Sequence, residues 1–472
     1  MIKAKNLDQY AMPDLDHVNL LMEEELIKDD HKIIVLDDDP TGVQTVHDIS
    51  VYTDWSLESI RSGFQEENKL FFILTNSRGF TESQTINAHR EITERVCEVA
   101  REYKKKFMII SRSDSTLRGH FPLETETIRS TLIEQGMQEP NAEILCPFFK
   151  EGGRFTLNNV HYVRSQEELI PAAMTEFAED ETFGYQSSNL TEYVEEKTKG
   201  KYKKEDCITI SLEELRSMDL TGIEQKLLSA KGFQKIIVNA IDDVDVRLFC
   251  ISLYRAMQKG HVFLLRTAAA LVKAIGFISD QPLLERSDMV RSDSNNGGII
   301  VAGSHTKKTT EQLQLLHELE NIVFLEMNSD LVLYPGELEK ETERLLRLEE
   351  DLIRSGRTVC VATKRTLLTL PEDTPETALL RSVAISEALQ ACVGRLTVVP
   401  SFVIAKGGIT SSDVGTKALL VKKALVLGQI QPGVPVWQTG SESRFPGIPY
   451  VIFPGNVGAA DTLKIAVSKL VS

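Results

Sequence analysis

Short apolar runs alternate along this chain with longer segments in which apolar residues recur every three or four positions. The runs predict buried β-strands, the recurrences predict amphipathic helices, and their alternation predicts an α/β fold. In the first half, strands are expected at 32–36, 70–74, 107–110, 143–146, 235–238 and 261–265. In the second half they are expected at 298–302, 321–325, 358–362, 401–405 and 449–453. Helical segments such as 82–102 and 306–319 lie between them. The most apolar long stretch, 261–278, contains Arg266 and Lys273; it reads as a buried or amphipathic helix, not a membrane span.

One stretch interrupts the alternation. Residues 287–298 read SDMVRSDSNNGG, a polar, Gly-ending segment with linker chemistry. A chain of 472 residues, at roughly 100–200 per domain, is expected to form two domains, or three. The boundary is placed in that linker, giving domains at 1–290 and 298–472, with the polar stretch 179–206 a surface excursion of the first. The fold expected is two α/β domains with largely parallel sheets and an interdomain active-site cleft.

Charge narrows the partners. A formal net charge of −16 repels phosphate backbones and anionic lipid, so neither nucleic acid nor membrane is expected as a partner. An anionic small molecule must then be met by local Arg, Lys and backbone N–H groups. The N-terminus lacks the apolar core of a signal peptide, and the six cysteines form no C-x-x-C pair. Both features lead to the expectation of reduced thiols and a cytoplasmic location. Oligomeric state is left open, a homo-oligomer included.

Open α/β sheets bind ligands beyond the carboxyl ends of their strands, which directs attention to the loops there. IIVLDDDPTGVQTVHD delivers Asp37, Asp38 and Asp39 in a row before Pro40-Thr41-Gly42 turns the chain. Three adjacent carboxylates need compensation from a metal, an arginine or a proton taken from a hydroxyl; an acidic turn with a helix cap is the plainer reading. FFILTNSRGF and MIISRSDSTLRGH place Arg78, then Arg112, Asp114, Ser115, Thr116 and Arg118, just after strands. Arginine matches a carboxylate bidentately, and Ser, Thr and Asp suit sugar hydroxyls, so these loops point to a polyhydroxy acid.

The second half repeats this arrangement with glycine. IIVAGSHTKKTTEQL, FVIAKGGITSSDV and YVIFPGNVGAADTL each run from a strand through glycine into a helix, presenting Ser304 and Thr306, Gly407, Gly408, Ile409 and Thr410, and Gly455 and Asn456. Glycine lets backbone approach a phosphate, and helix N-termini supply N–H groups, so the three loops together point to a nucleotide pocket. The P-loop, the Rossmann fingerprint, G-x-S-x-G and H-E-x-x-H are all absent, and the nine histidines show no metal-ligand spacing.

In this order the motifs resemble a known family. Asp38-Asp39-Pro40-Thr41-Gly42 resembles the D-D-x-T-G of the four-carbon acid sugar kinases, and Asp114 to Gly119 resembles their D-S-T-L-R-G. Gly407-Gly408-Ile409-Thr410 is similar to their G-G-x-T, and residues 454–458 to their final glycine loop. The resemblance implies an N-terminal acid-sugar domain and a C-terminal ATP domain, with Mg²⁺ bridging the ATP phosphates. It also implies phosphoryl transfer to a hydroxyl of threonate, erythronate, a 3-oxo-tetronate or a branched acid such as 3-oxo-isoapionate. On the same basis Asp38 or Asp39 acts as base or metal partner, with Arg78 and the segment from Asp114 to Arg118 at the acid sugar. Ser304, Gly407 to Thr410 and Gly455 fall at the nucleotide. Arg112-Ser113 stands where many members have Lys-x, and Gly152-Gly153-Arg154 and Thr175-Glu176-Phe177 resemble a subgroup insert. The alternatives are a binding or sensory protein without turnover, and a dehydrogenase or aldolase of the same acids.

Overall fold

The computed structural model of the chain describes residues 2–290, 295–455 and 457–471. Two compact units result: Met1–Gly42 with Asp54–Asp280, and Val43–Thr53 with Gln281–Ser472. The segment 43–53 thus belongs with the second half of the chain. Residues 291–294 of the expected linker lie outside the described residues.

The first unit is built on seven parallel strands: β1 (Lys32–Asp37), β2 (Leu70–Leu74), β3 (Phe107–Arg112), β4 (Ala142–Cys146), β5 (Ile208–Ile210), β6 (Gln234–Val238) and β7 (Phe263–Thr267). They lie in the order β5-β6-β4-β7-β3-β1-β2. Every residue of β1 and β2 is buried, as a parallel sheet covered on both faces requires. The chain passes from β1 to β2 on one side and then returns to β3 on the other. This reversal opens a crevice at the carboxyl ends of β1 and β3, where the aspartates and Arg112 emerge. The expected helix over 261–278 is corrected: it divides into strand β7 and the helix Ala269–Ile275. Arg266 lies in a strand buried between two neighbours, so its apolar surroundings reflect sheet burial.

A second, antiparallel sheet of Arg154–Leu157, Val160–Ser165, Glu168–Pro171 and Ile2–Lys3 belongs to the same unit. It was not read from the sequence, because its strands are short and polar.

The second unit holds β8 (Ile299–Ala302), β9 (Ile322–Met327), β10 (Thr358–Thr363), β11 (Val403–Lys406), β12 (Lys423–Gln431), β13 (Val434–Thr439) and β14 (Pro449–Phe453). Five are parallel, in the order β9-β10-β8-β11-β14. Beyond β14 the sheet continues antiparallel through β13 and β12 to Ile49–Tyr52. Here the reversal falls between β8 and β11, which carry two of the glycine loops. Among the described residues no helix is long and apolar enough to cross a membrane.

Candidate functional site

In the first unit, register sets the level of the site. Asp37 and Arg112 are direct partners across β1 and β3, and Thr267 pairs with Arg112 across β3 and β7. Arg112 Nη1 donates to Asp37 Oδ1 at 3.2 Å and lies 3.6 Å from Asp38 Oδ1. From the turn after β2, Arg78 donates to Asp38 through Nη2 (2.7 Å) and Nε (3.2 Å), and to Asp39 through Nη1 (3.1 Å). Ser113 Oγ donates to the same Asp38 at 3.1 Å, and Thr41 N caps Asp39 at 2.8 Å. A β-carbon on Gly42 would stand 2.0 Å from an Asp37 oxygen, so glycine is obligatory where the Asp37 carboxylate folds over the turn.

These surroundings separate the three carboxyls. Burial pushes Asp37 up to about 7 despite Arg112, with Asp38 and Asp39 adding to the rise. Burial also raises Asp38, against the pull of Arg78 and Arg112. Asp39 is opposed by burial too, yet the Arg78 charge and the Thr41 bonds bring it below its ordinary value. Its side chain is 17% exposed, against 2% for Asp37 and Asp38. Asp39 is therefore the carboxylate an entering group can reach.

The D-S-T-L-R segment forms an adjoining cluster. Arg118 Nε donates to Asp114 Oδ2 at 2.7 Å, and Thr116 Oγ1 donates to the same oxygen. Burial works against the Asp114 charge, but Arg78 and Arg118 hold its carboxyl well below the usual range. Three side chains from later in the chain fasten the loop backbone: His161 to the Ser115 carbonyl (2.8 Å), Tyr185 to that of Thr116 (2.8 Å) and Tyr193 to that of Leu117 (2.8 Å). Ser115 enters the described network through this carbonyl. Leu117 sits at φ 69, a region unfavourable for a side chain that size, and its burial with Tyr185 and Tyr193 holds it there.

Several participants escaped the sequence reading. Arg266 donates to Glu124 (3.0 Å) and Ser113 (2.9 Å), linking β7 to the Asp38 cluster. The available signal was a lone arginine near the end of an apolar run. Arg154, from the insert, stacks over Phe177 at 5.4 Å, with Arg118 over the same ring at 5.1 Å. Its Nη1 donates to the Gly152 carbonyl, and its Nε is buried with no hydrogen-bond partner among the described residues.

In the second unit the loops after β8, β11 and β14 enclose a cavity of about 310 Å³. Ser304, Gly407, Gly408, Ile409, Thr410 and Gly455 all line it. Thr306 does not; its hydroxyl caps the helix Lys307–Leu316 by accepting from Thr309 N at 3.3 Å. Asn456 lies outside the described residues. Gly407 adopts φ 112, and a β-carbon there would meet Ser304 Cβ at 3.4 Å, so this loop requires glycine for its path. The helix Gly408–Asp413 starts at the cavity wall, and first-turn N–H groups lack intrahelical acceptors, as a phosphate site needs. Leu367, Leu368, Ile385 and Leu389 supply an apolar wall. Lys406, also missed, is wholly buried under the loops and donates to the carbonyls of Pro454 (2.8 Å) and Gly455 (3.1 Å). Burial, with the charge of Lys308, lowers its pKa to about 7.

The expected Mg²⁺ finds no cage of protein ligands. Among the described residues no three His, Cys, Asp or Glu side chains are grouped to hold an ion. Asp38 and Asp39 already give their oxygens to Arg78, Ser113 and Thr41, and no carboxylate lines the glycine cavity.

Comparison with known proteins divides the chain at the same place as the chemistry. A sugar-binding N-terminal domain model matches residues 33–275, and a nucleotide-binding C-terminal domain model matches residues 299–463. Among solved structures, protein HI1011 of Haemophilus influenzae is similar at 16% identity and TM-score 0.60, over 93% of this chain and 100% of that one. A Salmonella typhimurium LT2 protein with a provisional tRNA synthase name is similar at 15% identity and TM-score 0.67, over 92% and 98%. At such identities the likeness is one of fold. No curated protein matches.

Proposed function

This chain belongs to the four-carbon acid sugar kinase family, and from that premise we propose that it phosphorylates a hydroxyl of a small sugar acid at the expense of ATP. The observation that carries the reading is the separation of chemistry between two switch points. Arginines, carboxylates and hydroxyls gather at the first, while glycine loops and an apolar wall gather at the second.

The first unit takes the acid. Arg118 and Arg154, which both stack on the Phe177 ring, hold its carboxylate, while Arg78 and Arg112 serve the aspartates. Thr116, Asp114 and Asp39 face its hydroxyls. The second unit takes ATP, with the base against Leu368, Ile385 and Leu389 and the phosphates along Ser304, Gly407, Gly408 and Gly455.

In the transfer, the substrate oxygen bonds to the γ-phosphorus as the bond from that phosphorus to the bridging oxygen breaks and ADP leaves. Little covalent work falls to the protein in such reactions, so positioning dominates. Asp39 accepts the hydroxyl proton as the new bond forms; its lowered basicity suffices because the proton becomes acidic only late. Arg78 fixes Asp39 and offsets charge around it.

A coupled ADP-release assay over four- and five-carbon sugar acids and their 3-oxo forms tests the reading. Release that depends on one of these acids is expected. Binding of an acid and of ATP without ADP release would make the chain a binding protein, and no response to any of them would overturn the substrate class.

A further inference from the structure

We propose that the first unit carries a second ligand site, at the end of its sheet opposite the aspartates, which takes a small amphipathic anion. A cavity of about 430 Å³ opens there, a volume in the range of small-molecule sites. It sits at the amino ends of β3 and β7, one strand length (roughly 17 Å) from Arg112, and shares no residue with the site described above.

Two features define what it accepts. Its floor is apolar: Phe107, Leu132, Met137, Met257, Val262 and Phe263. Its rim is cationic: Arg101, Lys104, Lys105 and Lys106, four positive charges within six residues of a chain whose net charge is −16. Lys104 and Lys105 make no ion pair among the described residues, and Lys106 has only an exposed Asp30 at 3.7 Å. Arg101 gives one N–H to the Gln135 carbonyl. The acidic residues close by are already engaged: Glu102 by Arg61, Glu134 by Arg90 and Glu139 by Arg129.

The helices Glu82–Tyr103, Leu123–Glu134 and Asp243–Gln258 end at this cavity, each bringing about half a negative charge at its carboxyl end. Four cations exceed what those ends and Asp30 offset. An apolar hollow under surplus positive charge selects a molecule with one anionic group on an apolar body. A sugar acid lacks the apolar body, and a nucleotide is too polar for the floor. The proposal is independent of the kinase reading.

The probe is 1-anilinonaphthalene-8-sulfonate, followed by fluorescence on the whole 472-residue chain. Saturable binding at one site per chain is expected, displaced by decanoate and not by 1-decanol, ATP or a sugar acid. Lys104→Glu/Lys105→Glu, both on the exposed rim, should weaken the probe by about tenfold or more while leaving ADP release unchanged. Met137→Glu, checked for folding by circular dichroism, should abolish binding by placing an anion on the floor. Unsaturable binding, equal affinity in the rim variant, displacement by ATP, or competition by decanol as strong as by decanoate would each overturn the proposal.

Discussion

Arg78 grips Asp38 with two N–H groups, at 2.7 and 3.2 Å, and spends a third on Asp39 at 3.1 Å. An arginine that the sequence marks for substrate is thereby a clamp on the acidic turn. The charges of Asp38, Asp39 and Asp114 carry it well above its ordinary pKa, although burial pulls the other way. Removing either partner should therefore cost more than the lost contact. Arg78→Ala leaves Asp38 buried with its charge less compensated, and a loss of about 3–5 kcal/mol is expected in chemical denaturation.

Asp38 and Asp39 should separate under substitution. Asp39→Asn keeps one acceptor, enough for Thr41 N–H, and gives up the Arg78 bond, so melting temperature should fall less than in Asp38→Asn while turnover falls roughly 10²-fold or more. Asp38→Asn disturbs Arg78, Arg112 and Ser113 together and should lower both stability and activity. Normal turnover in Asp39→Asn with a dead but folded Asp38→Asn would transfer the proton-accepting role to Asp38.

The raised pKa of Asp37 makes a prediction about pH. The folded state holds this proton to about 7, whereas an unfolded aspartate releases it near 3.8. The folded chain therefore binds more protons between those values, and stability from this group declines as pH rises from about 4 to 7. Asp37→Asn, which cannot ionise, should show a shallower decline over that window when melting temperatures are measured at intervals of pH. Parallel curves would assign the slope to other groups.

Lys406 has the opposite slope. Its folded pKa near 7 lies below the ordinary 10.5, so the unfolded chain binds more protons between these values and stability should rise with pH across them. Lys406→Met should lose that rise. It should also raise the KM for ATP, because the Pro454 and Gly455 carbonyls lose their tie to β11.

The ligands should respond to different halves. Arg118→Ala should weaken acid-sugar binding roughly tenfold to a hundredfold, the loss of a charged bidentate contact, with ATP affinity intact. Gly407→Ala forces a side chain into φ 112 and toward Ser304, and should weaken ATP binding without touching the acid. Calorimetry with each ligand separately reads both; a crossed result would reverse the assignment of the units.

Much of this was legible in the chain itself. Apolar runs bounded by turn residues located all eleven expected strands, because a parallel strand covered on both faces is predominantly apolar. The acidic, hydroxyl and glycine loops were legible for a related reason, since polar residues abutting such runs have few structural excuses. The hairpin of β12 and β13 was missed although Gln431-Pro432-Gly433 marks its turn, because the half-buried side of β12 carries Leu425 and Leu427, which blurs the alternation, and Pro435 interrupts β13. What only tertiary structure decided is who pairs with whom. Sequence order says nothing of which strands are neighbours, so it could not show that Arg112 faces Asp37 in register, that Arg266 reaches Ser113, or that residues 49–52 join a sheet built some 370 positions later. The ionisation of the three adjacent aspartates followed from the same cause. Identical side chains in one motif differ only in burial and in the arginine each meets, and both are properties of the folded chain.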